Sequence, residues 1–152
     1  MGNHALWLAI ACGLQVETFE PRLHEVIAAN IATNNLADRV VVHPVALGDR
    51  IGSGRWSDKQ RGHLKASAGG DVEIRTLDSY AFDDVSLIKI DVEGMEMAVL
   101  RGAVETIERH RPYIYAEAWD GEYLNEHRAF LEPLGYKYGR RFKWHQHRWN
   151  PK

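Results

Sequence analysis

The chain has 152 residues, a length that suits one domain, and 45% of its residues are hydrophobic, which is enough for a single core. Charged residues make up 26% and the net charge is −2, which excludes a disordered chain and leaves no global field that would recruit nucleic acid or a membrane surface. The only cysteine, Cys12, excludes an intramolecular disulfide; its apolar neighbours predict a buried thiol, and a reducing, cytoplasmic setting is expected.

The first elements are predicted from the spacing of apolar residues. Residues 3–12 predict a mostly buried helix that ends near Gly13, and their apolar run is too short to span a bilayer. Residues 15–19 predict a short strand. Pro21 then occupies the favoured first position of a second helix, which is predicted to end near Asn35.

The middle of the chain is predicted to alternate strands and loops. Residues 39–47 predict a strand in which Pro44 favours an edge or a bulge. Residues 48–70 have no clear period and predict a long loop with short strands. Residues 71–77 alternate and predict a strand, and the nearly continuous apolar run 85–92 predicts a strand buried on both faces.

The last third predicts a helix at 95–110, a strand at 112–119, a helix at 121–131 and an antiparallel pair within 136–149. Strands that alternate with helices predict crossover connections and a mostly parallel sheet covered on both faces, here with an antiparallel C-terminal hairpin. The whole chain, 1–152, is predicted to be one α/β domain. In such sheets ligands bind beyond the carboxyl ends of the strands.

Glu20 directly follows the first predicted strand and lies eighteen positions after Gly2. This spacing is close to that between a glycine turn and an acidic residue that accepts hydrogen bonds from a ribose diol. A carboxylate at this position also suits the N-terminus of the following helix. The two interpretations are compatible, and the spacing alone does not decide between them.

More acidic side chains follow the next two strands. Asp91 and Glu93 are two residues apart after an apolar strand, which favours a binding role, above all for Asp91. Helix capping is the alternative, and it suits Glu93 and Glu96 better than Asp91. Glu117 lies in an apolar, aromatic segment, where desolvation would raise its pKa and suit a general base; an ion pair with an arginine is the alternative.

Several ordered motifs resemble the FkbM family of methyltransferases. The stretch VETFEP at 16–21 resembles the family's second-strand motif, and LIKIDVEGME at 87–96 is similar to its most recognisable segment. The other matching motifs are VALGD at 45–49, TLDSY at 76–80 and LRGA at 100–103. The similarity covers about residues 2–120, and several motifs in order are more specific than any one of them.

The resemblance implies a Rossmann-like class I methyltransferase fold and S-adenosylmethionine as cofactor. It implies that Glu20 holds the ribose, that Ala46 and Leu47 flank the adenine, and that Asp91 lines the methionine end of the pocket. Two residues at the start of the chain match the end of the family's glycine loop and would also contact the cofactor: Gly2 and Asn3.

The implied reaction is O-methylation of a hydroxyl on a small molecule or a saccharide. In-line transfer of a methyl group depends largely on alignment of the reacting atoms. A carboxylate must also accept the hydroxyl proton, and the candidates are Asp91 and Glu117, at the ends of adjacent predicted strands.

Family members carry a strand and an Asp-x-Gly-Ala-Asn-x-Gly loop before the first helix, whereas this chain begins near the last glycine of that loop, Gly2. We therefore expect an N-terminally truncated domain without the usual first strand. That strand normally lies at the sheet centre, between the strands that end at Glu20 and Asp91. Weak or absent binding of S-adenosylmethionine is expected, together with either closure of these two strands on each other or a homo-oligomer formed through the gap.

Two other functions stay open: a methyltransferase-like assembly module without turnover, and nucleic-acid binding through a C-terminal segment in which Trp144 and Trp149 alternate with basic residues. A solvated hairpin is the simpler interpretation, because the whole chain is not basic. The basic residues are Lys137, Arg140, Arg141, Lys143, Arg148 and Lys152. No third ligand accompanies His145 and His147, so no metal site is expected. The net charge and the short apolar run at residues 5–14 predict no membrane partner.

Overall fold

The computed structural model describes residues 2–57, 63–67, 69–119, 121–142 and 145–152. The α-helices within these ranges are α1 (Asn3–Ala11), α2 (His24–Thr33), α3 (Glu96–Arg101), α4 (Val104–His110) and α5 (Gly121–Leu131). The strands are β1 (Val16–Phe19), β2 (Val40–His43), β3 (Ala46–Leu47), β4 (Gly52–Ser57), β5 (His63–Ala66), β6 (Val72–Arg75), β7 (Leu87–Ile90), β8 (Tyr113–Glu117), β9 (Tyr136–Arg141) and β10 (Gln146–Pro151). None of these helices is long and apolar enough to cross a membrane.

The chain divides into two compact units. Unit 1 comprises Met1–Ala46, Gly52–Arg55 and Ala66–Ile74, and unit 2 comprises Leu47–Ile51, Trp56–Lys65 and Arg75–Lys152.

Unit 1 is built on a parallel crossover. Strands β1 and β2 pair in parallel from Val16 opposite Val40 to Phe19 opposite His43, and α2 connects them. Helices α1 and α2 cover this pair. The core residues of unit 1 that they share with the strands are Ala5, Ala9, Ile27, Ile31, Leu36 and Val40. A strand, a helix and a parallel strand in succession are the unit expected of a Rossmann-like fold.

The expectation of a mostly buried first helix is wrong. Only Ala5 and Ala9 of α1 are buried, whereas Trp7 and Ile10 are 59% and 62% exposed and Cys12 is also exposed. Ala5 and Ala9 are four residues apart and therefore form one stripe, which is the face that packs against the rest of unit 1. An apolar composition all around a helix does not reveal which side finds a partner.

Two further boundaries differ from the predictions. Helix α2 begins at His24 rather than at Pro21, because Glu20 first closes a short turn with the amides that follow it. The strand predicted at 39–47 is divided into β2 and β3 on either side of Pro44, which lacks the amide proton that a continuous ladder requires. The short strands expected within residues 48–70 are present as β4 and β5, and β4 pairs antiparallel with β6.

Unit 2 is organised around a four-stranded sheet in the order β7-β8-β10-β9. Strands β7 and β8 are parallel, and β10 pairs antiparallel with both β8 and β9. The fully buried residues Leu100, Ile107, Ile114, Leu131, Tyr136 and Trp149 belong to the core of this unit. The parallel crossover pairs of the two units, the helices between the strands and the antiparallel C-terminal hairpin confirm the predicted Rossmann-like α/β class.

The helix predicted at 95–110 is two helices, α3 and α4, which are separated at Gly102 and Ala103, where the chain contacts Asp78. The Gly102 carbonyl accepts a hydrogen bond from the Asp78 amide at 3.0 Å. The Asp78 carboxylate in turn accepts hydrogen bonds from the amides of Thr106 at 2.8 Å and Glu105 at 3.1 Å. Asp78 therefore caps the start of α4, and α4 begins as a separate helix.

Gly102→Ala is expected to lower the free energy of unfolding by about 2 kcal/mol or more, because the added methyl group has no room. A Cβ atom at Gly102 would lie 2.0 Å from the Gly48 carbonyl oxygen, a backbone atom that cannot rotate away. Urea denaturation measures the loss. Gly121→Ala is the matched control, since a Cβ at Gly121 meets no atom within 4 Å. Equal stability of the two variants would show that the contact relaxes without cost.

Candidate active site

Two acidic side chains lie at the carboxyl ends of neighbouring strands in unit 2. Strand β7 ends at Ile90 and is followed by Asp91, and β8 ends at Glu117. The two strands are parallel with Ile90 opposite Ala116, so their next residues, Asp91 and Glu117, come to the same edge of the sheet. This edge is where α/β sheets bind ligands.

Glu117 is a buried carboxylate without a complete set of partners. Glu117 is only 7% exposed, and its Oε2 atom has no hydrogen-bond partner among the described residues. Burial raises the pKa of Glu117 from 4.5 to about 7, and repulsion from Asp91, Glu93 and Glu96 adds to the rise. Lys89 acts in the opposite direction. Glu117 therefore changes its charge near neutral pH, as a general base requires.

Asp91 is exposed, and a positively charged side chain lies beside it. The Lys89 ammonium, on β7, lies 2.7 Å from Oδ2 of Asp91. Lys89 and Asp91 are two residues apart, so they extend from the same face of the strand. The lysine partly offsets the negative charge at this edge, and Asp91 remains accessible to a ligand.

The turn between β7 and α3 is held by a second buried carboxylate. Glu96 is 3% exposed, and its Oε1 accepts hydrogen bonds from the amides of Val92 at 3.3 Å and Gly94 at 3.2 Å. Glu93 and Gly94 both have positive φ angles, of 50° and 93°. Such a conformation is costly for Glu93, so the turn depends on the Glu96 carboxylate. Glu96 thus holds the turn before α3 rather than capping the helix, and the turn places Asp91.

Trp119 and His145 lie beside this edge. Trp119 is 52% exposed, and its ring stacks on that of His145 with centroids 5.1 Å apart and planes inclined by 24°. The Ala118 amide donates a hydrogen bond to the His145 carbonyl at 2.9 Å, which extends the pairing of β8 with β10 to these residues. Sequence reasoning missed Trp119, because a single aromatic residue after a strand has no spacing that identifies it.

In unit 1, the Glu20 carboxylate closes the turn that precedes α2. Its Oε1 accepts hydrogen bonds from the amides of Arg22 at 2.9 Å and Leu23 at 3.2 Å. Its own amide donates to the His43 carbonyl at 3.0 Å, which continues the pairing of β1 with β2. The position of the carboxylate at the end of β1 is therefore fixed from both sides, a prerequisite for the ribose-binding role that the sequence predicted.

The N-terminus of α1 is the second polar feature of unit 1. Gly2 is its N-cap, with φ of 78°, and no side chain caps the helix. A Cβ atom at Gly2 would lie 3.1 Å from Cγ2 of Ile27, so glycine suits both the conformation and the space. Asn3, the first helical residue, is exposed. The free amides of a helix N-terminus favour an anionic group.

The remaining predicted residues are placed as follows. Ala46 and Leu47 form β3, where Ala46 is buried and Leu47 is half-buried. Trp149 is completely buried, so it cannot stack on a nucleic-acid base as the basic C-terminal segment suggested. Lys143 and Trp144 lie outside the described residues. His147 is buried, and its Nδ1 is 3.1 Å from the Tyr138 hydroxyl. Within the described ranges, no group of three or more metal-ligating side chains occurs.

Comparison with known proteins gives two matches. The family model described as methyltransferase FkbM domain matches residues 5–138. A solved structure described as methyltransferase FkbM from Methylobacillus flagellatus KT superimposes with a TM-score of 0.70 at 23% identity, over 97% of this chain and 40% of that chain. At this identity the likeness shows the fold alone, and the chain spans about two fifths of that relative's length. None of the curated proteins matches the chain.

Proposed function

Since the chain belongs to the FkbM methyltransferase family, we propose that it transfers a methyl group from S-adenosylmethionine to a hydroxyl of a small molecule or a saccharide. The observation that carries this proposal is Glu117, a buried carboxylate at a strand end whose pKa lies near 7. The chain has one cysteine, which is exposed and unpaired, and we place the reaction in the reducing cytoplasm.

In the proposed reaction Glu117 is the proton acceptor. S-adenosylmethionine, when bound, supplies an electrophilic methyl group on a sulfonium. The acceptor hydroxyl gives its proton to Glu117 as its oxygen bonds to the methyl carbon and the carbon–sulfur bond breaks. A carboxylate with a pKa near 7 is a stronger base than an ordinary glutamate and is still available in its charged form at neutral pH.

The other predicted residues receive roles unit by unit. In unit 1, Glu20 would accept hydrogen bonds from the ribose, and the uncapped N-terminus of α1 at Gly2 and Asn3 would receive a carboxylate. Ala46 would contribute an apolar contact to the adenine. In unit 2, Leu47 would contribute an apolar contact to the adenine. Asp91 would line the methionine end of the cofactor, since its carboxylate complements an ammonium group.

Glu20→Ala is expected to weaken binding of S-adenosylmethionine by about 5- to 150-fold, which equals roughly 1–3 kcal/mol for the loss of charge-assisted hydrogen bonds. Calorimetric titration at high protein concentration measures this even for a weak complex. Glu17→Ala is the matched control, since Glu17 is an exposed carboxylate on the same strand, paired with His43. Glu20→Gln keeps an oxygen for the turn before α2 and separates a folding defect from lost binding. Unchanged affinity in Glu20→Ala would contradict the ribose assignment.

A further inference from the structure

Trp119 is an exposed aromatic ring next to a buried, incompletely paired carboxylate. It lies two residues beyond Glu117, a separation that an extended chain spans in about 7 Å. Half of its surface is open to solvent, although its ring is already oriented by stacking on His145. An ordered and exposed indole offers a flat surface at low entropic cost to a ligand.

His145 is held as a hydrogen-bond donor. The Arg141 guanidinium lies 3.1 Å from Nδ1 of His145, and since a guanidinium can only donate, Nδ1 is the acceptor. Neutral His145 must then carry its proton on Nε2. The stacked pair therefore combines an apolar ring face with an N–H group at its edge.

The charges at this edge select the kind of ligand. Burial is the main cause of the raised pKa of Glu117, and repulsion from the nearby carboxylates of Asp91, Glu93 and Glu96 adds to it. These carboxylates make the edge negative, and Lys89 offsets part of their charge. An anionic ligand would be repelled. A ligand with several hydroxyl groups can instead donate hydrogen bonds to the carboxylates.

We propose that Trp119 and His145 form the platform on which the acceptor stacks, and that the acceptor is an uncharged, polyhydroxylated ring. The apolar C–H face of a sugar ring packs on Trp119, one of its oxygens accepts from Nε2 of His145, and a neighbouring hydroxyl faces Glu117. This inference rests on the proposed function, since it names the substrate class for the same edge of the sheet. Trp119 is thus a specificity-determining residue.

Saturation-transfer NMR on the 152-residue chain tests the platform without requiring turnover. The probes are the methyl pyranosides of glucose, galactose and mannose, with sorbitol as an acyclic polyol and methyl glucuronide as an anionic ring. We expect saturation of ring protons in at least one methyl pyranoside, reduced by about fivefold or more in Trp119→Ala and largely retained in Trp119→Phe. Trp7→Ala, which removes an equally exposed indole from α1, should leave the signal unchanged.

The proposal is overturned if no methyl pyranoside receives saturation, if Trp119→Ala leaves the signal intact, or if sorbitol or methyl glucuronide binds as well as the neutral rings. Its failure is distinguishable from that of the proposed function. Methyl transfer to a hydroxyl with a KM unchanged in Trp119→Ala would contradict the platform alone. Binding of a sugar ring that depends on Trp119, without any methyl transfer, would contradict the proposed function alone.

Discussion

Glu117→Gln is expected to lower the rate of methyl transfer by about 100-fold or more while the affinity for S-adenosylmethionine changes little. Glutamine has nearly the same shape as glutamate, but it cannot accept a proton. The loss should appear in kcat, because the residue acts on the acceptor hydroxyl in the transition state rather than on the bound cofactor. Single-turnover transfer of a labelled methyl group, beside calorimetric titration of the cofactor, measures both quantities.

A stability measurement on Glu117→Gln tests whether misfolding, rather than the lost base, lowers its rate. A carboxyl whose pKa is raised in the folded state stabilises the fold below the unfolded value, here 4.5, and this contribution is lost as the pH rises through about 7. The shift corresponds to roughly 3 kcal/mol. Glu117→Gln removes the buried charge, so its free energy of unfolding at pH 8 should equal or exceed that of the wild type. A variant that is less stable at pH 8 would contradict this account.

His127→Leu is expected to make the protein much less sensitive to acid. His127 is completely buried, and neither ring nitrogen has a hydrogen-bond partner among the described residues. Burial, with repulsion from His147 as a second cause, lowers the pKa of His127 to about 4. The stability that depends on neutral His127 is therefore present above pH 6.5 and is lost as the pH falls through about 4.

Between pH 7 and pH 4 the contribution of His127 to the free energy of unfolding should fall by roughly 3 kcal/mol. The unfolded chain binds a proton at this histidine in that range, whereas the folded protein largely does not. Urea denaturation at both pH values measures it in the wild type and in His127→Leu. The leucine leaves no buried polar atom, so it should cost little stability at pH 7. His110→Leu, at a half-buried histidine in the last turn of α4, is the control and should keep the wild-type pH dependence. An unchanged acid sensitivity in His127→Leu would contradict the assignment.

The sequence predicted those features of the fold that depend on local pattern. The strands that end at or just before Glu20, Asp91 and Glu117 were predicted with their ends within two residues, because each strand is a short apolar run. The C-terminal hairpin followed from two short strands in succession. These features require no knowledge of what lies beside them in space.

What could not be predicted depends on tertiary contact. The break at Gly102 coincides with its hydrogen bond to Asp78 and with the capping of α4 by the Asp78 carboxylate, contacts between distant parts of the chain that no helical period reveals. The exposure of α1 has the same origin, since an apolar helix contains no information about which face will be covered. At the candidate site, sequence predicted the acids but not Trp119, whose role is inferred from its stacking on His145 across β8 and β10.

The central claim is that Glu117 accepts the hydroxyl proton in a methyl transfer at the carboxyl ends of β7 and β8. The pH dependence of the transfer rate at saturating S-adenosylmethionine tests it most directly. The account predicts that the wild-type rate rises with pH through an apparent pKa near 7, as Glu117 becomes charged, and that Glu117→Gln lacks this rise. The same rise in rate in Glu117→Gln, at an undiminished level, would contradict it.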